Sequence, residues 1–218
     1  MHAFSFYDGS EGAHPVGGLA LDSHGALYGV TEDRGDEADC FGGCGTIFKL
    51  TPSKRGKVWA FEVIHALQFA EGKLPYRVNL VFDKKGALYG TASEGGTGFG
   101  TVFQLVPPAA HQTAWTPNVI HTFAKKTGSV PLAGLLLGTD GALYGTATTG
   151  GSKGFGAIFK LAPKAGNTWQ YTMLWDFTDQ TQGVHPFAPL IADQAGALYT
   201  TTSGGGASGQ GAVVKLVP

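Results

Sequence analysis

The sequence predicts an all-β fold: a β-propeller of four blades, each of four antiparallel strands, closed by an N-terminal strand that completes the last blade. Three observations carry this. The motif Gly-Ala-Leu-Tyr recurs, placing Tyr28, Tyr89, Tyr144 and Tyr199 at successive separations of 61, 55 and 55 residues, and self-similarity at such a period marks a repeat architecture. Each copy is a chain of short apolar runs punctuated by Gly, Pro and Asp, with no 3.6-residue periodicity. The copies are also circularly offset, because residues 1–7 match the end of a unit that the last copy lacks.

Each copy opens with an apolar run: Leu19-Ala20-Leu21, Leu80-Val81-Phe82, Leu135-Leu136-Leu137 and Leu190-Ile191-Ala192. Runs of this length between turn formers suit strands buried on both faces. A polar turn ending in glycine follows, as in Asp22-Ser23-His24-Gly25 and Asp83-Lys84-Lys85-Gly86, and then the Ala-Leu-Tyr strand. Glycine at the last place supplies the positive φ that a hairpin loop of this length needs, so the two strands are expected to pair antiparallel.

A glycine-rich connection leads to a third strand, Thr46 to Leu50, Thr101 to Leu105, Ala157 to Leu161 and Ala212 to Leu216. Proline follows each time, at Pro52, Pro107, Pro163 and Pro218. Lacking an N–H, it is a natural strand terminator. The fourth strand carries the aromatics, from Trp59 to Phe69, Trp115 to Phe123 and Trp169 to Phe177, before a Gly-x-x-Pro turn into the next copy. His2-Ala3-Phe4 followed by Gly12-x-x-Pro15 matches that fourth strand. The chain is therefore expected to be one domain over 1–218, with repeats at about 19–69, 80–123, 135–177 and 190–218 plus 1–7. An eight-bladed ring of two chains and a piece of a longer propeller are the rival architectures.

Composition excludes several functions. Thirty-five glycines exceed the usual share of ~7% about twofold, and charged residues make up only 14%. A net charge of −1 offers nothing to nucleic acid or an anionic membrane. No apolar run reaches the ~18–20 residues of a membrane helix. No basic-then-apolar leader follows Met1, so an export signal is expected to lie outside this stretch or to have been removed. Cys40 and Cys44 are too few for a tetrahedral zinc site, since Asp36, Glu37 and Asp39 replace histidine poorly. A short disulfide pinning a glycine-rich loop is expected, with reduced thiols as the alternative. A disulfide would put the protein in the periplasm, outside the cell or on its surface.

The shared pattern is Gly-Leu-x-x-Asp-x-x-Gly-x-Leu-Tyr-Gly-Thr, a Gly-Gly tract, then Gly-Thr-Val-Phe-Lys-Leu-x-Pro. It resembles the GloVer-type tandem repeat of exported, surface-associated bacterial proteins, over essentially the whole chain. Copy four departs with Thr200 for Gly and Val214 for Phe, and copy three has Gly138 where Asp is usual. The resemblance implies location and architecture and no catalytic residues.

In a propeller the glycine-rich connections and the Gly-x-x-Pro turns share one face, and such loops carry function. Features that break the repeat symmetry there are the candidates. His14 and His185 precede the loop proline in copies one and four, which a closed ring makes neighbours; Tyr76 and Arg77 follow it in copy two. With the acidic insertion Asp33 to Cys40 they form the candidate catalytic set, His14, Tyr76, Arg77 and His185. Phe99, Phe155 and Phe187 join them as candidate ligand-binding residues; Phe41, Phe99 and Phe155, in the glycine-rich loops, are either exposed stacking surfaces or residues that hold their loops. The blander reading makes the two histidines turn residues. His2, His65 and His121 repeat at one place and read as architectural, and the four tyrosines as packing. No cofactor is expected, and no motif argues for calcium. The leading functional expectation is a binding module of an exported bacterial protein that engages a glycan or other surface polymer through this loop face, monomeric or self-associating. A polysaccharide hydrolase or lyase and a structural repeat of a surface layer are the alternatives.

Overall fold

In the computed structural model, residues 2–5, 9–36, 38–53 and 58–218 are described. Residues 1, 6 and 7 of the expected closing strand and Glu37 of the insertion fall outside them. The described residues form four antiparallel sheets of four strands each, one sheet per repeat. The all-β, blade-by-blade reading stands.

The first blade is β1 (Ala20–Leu21), β2 (Leu27–Thr31), β3 (Thr46–Pro52) and β4 (Trp59–Ala66), hydrogen-bonded in that order. The second is β5 (Val81–Phe82), β6 (Leu88–Ala92), β7 (Thr101–Val106) and β8 (Thr116–Thr122), and the third β9 (Leu136–Leu137), β10 (Leu143–Ala147), β11 (Ala157–Pro163) and β12 (Trp169–Asp176). The fourth holds β13 (Val184–Pro186), β14 (Ile191–Ala192), β15 (Leu198–Gly204) and β16 (Ala212–Leu216).

Blade 4 corrects the expected closure. Its fourth strand is β13, made from the Gly-x-x-Pro segment and paired with the end of β15, not an outer strand from the N-terminus. Residues 2–5 lie outside any strand, and among the described residues no backbone hydrogen bond joins them to β16. They pack on blade 1: the His2 ring stacks on Phe61 at 3.8 Å, and Phe4 meets Phe48 and Phe61 edge-on at 5.1 and 5.4 Å. The repeat pattern encodes where these aromatic side chains pack, on β3 and β4, as a fourth strand's side chains do on the following blade; whether their backbone also pairs with β16 depends on where blade 4 sits, which no local signal fixes.

The opening runs are also less buried than expected. Only two residues of each pair as an edge strand, and Leu21 and Ile191 are exposed. The residue just before the strand is the buried one in later blades, Leu80, Leu135 and Leu190.

Each blade has two faces because successive strand residues point oppositely. One face carries Tyr28, Val30, Ile47 and Lys49 in blade 1, with equivalents in the others; the opposite carries Leu21, Leu27, Phe48, Leu50 and Phe61. The tyrosine face of one blade packs on the leucine-phenylalanine face of the next, as Tyr28 meets Phe82 edge-on at 5.1 Å and Tyr89 meets Trp169 at 5.7 Å. Ile47, Val102 and Ile158 are accordingly 0–1% exposed. A register shift recurs opposite Ile64, Ile120 and Leu174, where the third strand skips one residue of the fourth. This bulge turns His65, His121 and Trp175 toward the following blade.

Candidate functional site

The two ends of the blades carry different chemistry. At one end lie the glycine-rich loops and Gly-x-x-Pro turns, which bridge one another at Ala13–Asp33, Lys73–Glu94 and Ser129–Thr149. The shared face expected from the repeats is therefore present. Its candidates are dispersed into three settings.

His14, Leu74, Val130 and His185 all hold a left-handed φ of 54–58° just before the proline. Because Leu and Val occupy the same strained place, the backbone there does not select histidine. The His14 imidazole lies 3.2 and 3.3 Å from the Asp33 carboxylate oxygens, and its side chain is 59% exposed. His185 instead donates from Nδ1 to the Thr148 carbonyl at 3.0 Å and meets Phe155 edge-on at 6.2 Å. The described contacts of the two histidines are thus separate, His14 with Asp33 and His185 with Thr148 and Phe155.

Tyr76, Arg77 and Phe187 are brought together. The Arg77 guanidinium lies 5.2 Å from the Tyr76 ring centroid and 5.4 Å from that of Phe187, joining the turns before blades 2 and 4. The Phe99 and Phe155 carbonyls accept from Val130 N–H at 3.0 Å and His185 N–H at 2.8 Å, tying the glycine-rich loops to the following turns. Cys40 and Cys44 form the expected disulfide, almost wholly buried, and hold a loop whose Phe41 points fully into solvent. Among the described residues no group of three or more His, Cys, Asp or Glu is placed to hold a metal ion.

At the opposite end are two open grooves that the loop-face reasoning missed. They run between blades 1 and 2 and between blades 2 and 3. The hairpin that repeats in every blade builds them. Asp22 Oδ1 accepts from His24 and Ala26 N–H at 2.8 and 2.9 Å, and its Oδ2 from the Tyr28 hydroxyl at 3.2 Å. Asp83 with Tyr89 and Asp193 with Tyr199 repeat this at 3.0 and 2.8 Å. In blade 3, where Gly138 replaces that aspartate, Asp140 takes the Tyr144 hydroxyl from two residues further on, at 3.1 Å.

The electrostatics follow. Partial burial opposes ionisation of Asp22, but the Ala26 and His24 N–H groups and the Tyr28 hydroxyl outweigh it and hold its pKa below the usual value. The Lys160 ammonium, 2.8 Å away, and then the Ala142 N–H and Tyr144 hydroxyl, lower Asp140. Asp193 is lowered mainly by the Tyr199 hydroxyl. Burial pushes Tyr89 up to about 12, so it remains a neutral donor. Over the ring faces, Lys49, Lys160 and Lys215 stand 5.4, 5.1 and 5.4 Å from the centroids of Tyr28, Tyr144 and Tyr199.

The first groove sets Tyr28, Phe82 and Trp115 beside Asp22, Lys49, Glu62, Lys84 and Lys85. The second sets Tyr89, Leu137 and Trp169 beside Gln104, Asp140, Lys164 and Asn167. Both combine an aromatic wall with a polar rim of mixed charge. The signal available in the sequence was the Asp-x-x-Gly-x-Leu-Tyr spacing together with the Trp that begins each fourth strand.

The repeat signature decides the family: the profile described as the Gloeobacter/Verrucomicrobia repeat matches residues 37–218. The chain belongs to the Gloeobacter/Verrucomicrobia repeat family. The GloVer resemblance is thereby established for most of the chain. No curated protein sequence matches this GloVer chain. Among solved structures it is similar to the Hadza microbial sialidase Hz136, at 13% identity and a TM-score of 0.53, covering 95% of this chain and 45% of that one. A Trypanosoma rangeli sialidase in complex with the inhibitor DANA matches at 11% identity and a TM-score of 0.49, over 94% of this chain and 38% of that one. The GloVer chain thus spans less than half the length of these proteins, and the likeness is one of fold.

Proposed function

We propose that this GloVer chain is a non-catalytic binding module that takes units of a glycan or other surface polymer into the two inter-blade grooves. The observation that carries the reading is the repetition of an aromatic wall with a polar rim at two successive blade junctions. Aromatic rings take the apolar face of a sugar, and the rim groups hydrogen-bond its hydroxyls. Repeated shallow sites gain strength on a polymer through effective concentration rather than through any single tight contact. The sialidase names of the similar structures support a glycan as the ligand class. The Cys40–Cys44 disulfide suits an oxidising compartment, and no described helix is long and apolar enough to cross a membrane.

The rival is a single site on the loop face, a glycan hydrolase or lyase centred on Arg77, and the cluster of Arg77 with Tyr76 and Phe187 is what favours it. Calorimetry with glycan ligands chosen from an array separates the two. Groove binding gives about two sites per chain, and Trp115→Ala and Trp169→Ala each remove one while Arg77→Ala removes none. Binding at one site that disappears with Arg77→Ala would overturn the groove reading.

A further inference from the structure

Three junctions inside the chain repeat one interface, and the same two faces recur on blades 4 and 1 with residues exposed that the junctions bury. On blade 4 the tyrosine face shows Val213 at 78% and Ile191 at 66% exposure, although the positions matching Val213 in the other blades, Ile47, Val102 and Ile158, are 0–1% exposed. On blade 1 the opposite face shows Leu19 at 54%, against 3–5% for its equivalents Leu80, Leu135 and Leu190. Apolar residues exposed at positions that the internal junctions bury mark an interaction surface.

Residues 2–5 sharpen this. On blade 3, the His121 ring of blade 2 stacks on Tyr171 at 4.3 Å, and Phe123 meets Phe159 edge-on at 5.1 Å. His2 stacks on Phe61, and Phe4 meets Phe48, in the same manner on blade 1. The approach of His2 Nε2 to the Glu11 carboxylate, at 3.4 Å, likewise repeats that of His65 to Glu71, at 2.7 Å, each glutamate preceding the loop glycine. The N-terminal segment thus occupies the place of the end of a fourth strand belonging to a preceding blade. Blade 4 lacks such a strand beside β16, whose outer edge is unpaired among the described residues.

The geometry points to head-to-tail association of two copies of this chain: the tyrosine face of blade 4 of one copy packs on blade 1 of the next, and residues 2–5 of that next copy pair alongside β16. The occupant is a second copy because both halves of the contact are on this chain and their complementarity is already realised at its internal junctions. The register follows from blade 2, where Val102 faces His121 and Thr101 faces Thr122, so Val213 should face His2 and Ala212 should face Ala3. Such a heterologous contact closes into a ring if its rotation permits and otherwise extends into a filament. The inference stands apart from the proposed groove function.

Analytical ultracentrifugation of the 218-residue chain tests it. Concentration-dependent association is expected, weakened more than tenfold by Val213→Asp and by Leu19→Asp. Both residues are exposed in the single chain, so the variants retain the wild-type circular dichroism. An equimolar mixture of the two variants should recover association up to a pair, because each chain keeps one intact face. Oxidation of the Ala3→Cys, Ala212→Cys double variant should link chains to one another. A concentration-independent monomer, an association indifferent to both substitutions, or a cross-link within one chain would each overturn the inference; the first would mean that further repeats, not a second copy, cover these faces.

Discussion

The pairing of Gly145 with Phe159 permits a quantitative test of how the blades are packed. These residues face each other across β10 and β11, as Gly29 faces Phe48 and Gly90 faces Phe103. A Cβ placed on Gly145 would lie 2.5 Å from Phe159 Cζ and 3.0 Å from Leu135 Cδ2, so the ring occupies the space a side chain would need. In blade 4 the same pair is Thr200 and Val214, a larger residue facing a smaller one. The two departures of copy four are therefore one compensated exchange. Phe159 is fully buried, and Phe159→Val should cost about 2–3 kcal/mol for lost burial and the cavity left behind. Gly145→Thr alone should cost about 2–3 kcal/mol through overpacking. Additivity would make the double variant about 5 kcal/mol less stable. Compensation predicts a loss of only about 1–2 kcal/mol, a coupling of about 3 kcal/mol, as contacting residues show. The new hydroxyl also has an acceptor: Thr200 donates to the Ala188 carbonyl at 3.0 Å, and the equivalent Ala133 carbonyl already accepts from Thr91 at 2.9 Å. Thermal unfolding of the wild type, both single variants and the double variant reads this as shifts of roughly 5–10 °C for each single and 3–6 °C for the double. A double variant as unstable as the sum of the singles would refute the reasoning.

Acid should lower the stability in two stages. Burial lowers His121 to about 4, below its unfolded value of about 6.5, so its contribution is whole above pH ~6.5 and is lost as pH falls toward ~4. His121→Gln should flatten stability across that window in urea titrations, and an unchanged slope would count against a buried neutral imidazole. Asp22, Asp140 and Asp193 are lowered, so their contribution is whole above the unfolded pKa of about 3.9 and is lost as pH falls through their folded values. The triple Asn variant should lose stability at pH 7 and show less further loss on acidification; an unaltered acid profile would refute this. Reducing Cys40–Cys44, four residues apart, should cost about 2 kcal/mol by the chain-entropy estimate and leave the far-ultraviolet circular dichroism unchanged; a collapse of the β signal would show the loop to be essential to folding.

The sequence by itself determined the blades. Strand and turn chemistry is local: an Asp that caps its own hairpin, a glycine where φ is positive and a proline that ends a ladder each act within a few residues. Repetition of these signals made the hairpins, the third strands and the fourth strands legible to within about three residues at their ends. The bulges opposite Ile64, Ile120 and Leu174 were invisible, because a skipped residue depends on what packs against the strand and not on its own pattern. Ring closure was misjudged for the same reason. The match of His2-Ala3-Phe4 to a fourth strand was real, and the aromatics pack on Phe48 and Phe61 as a fourth strand's do on the following blade, but pairing with β16 is a matter of tertiary contact that the pattern does not encode. The candidate site divided similarly. Sequence asymmetry found Tyr76, Arg77 and Phe187, which do converge, yet it could not find the grooves, since each is made of residues about one repeat apart that only blade-on-blade packing sets side by side.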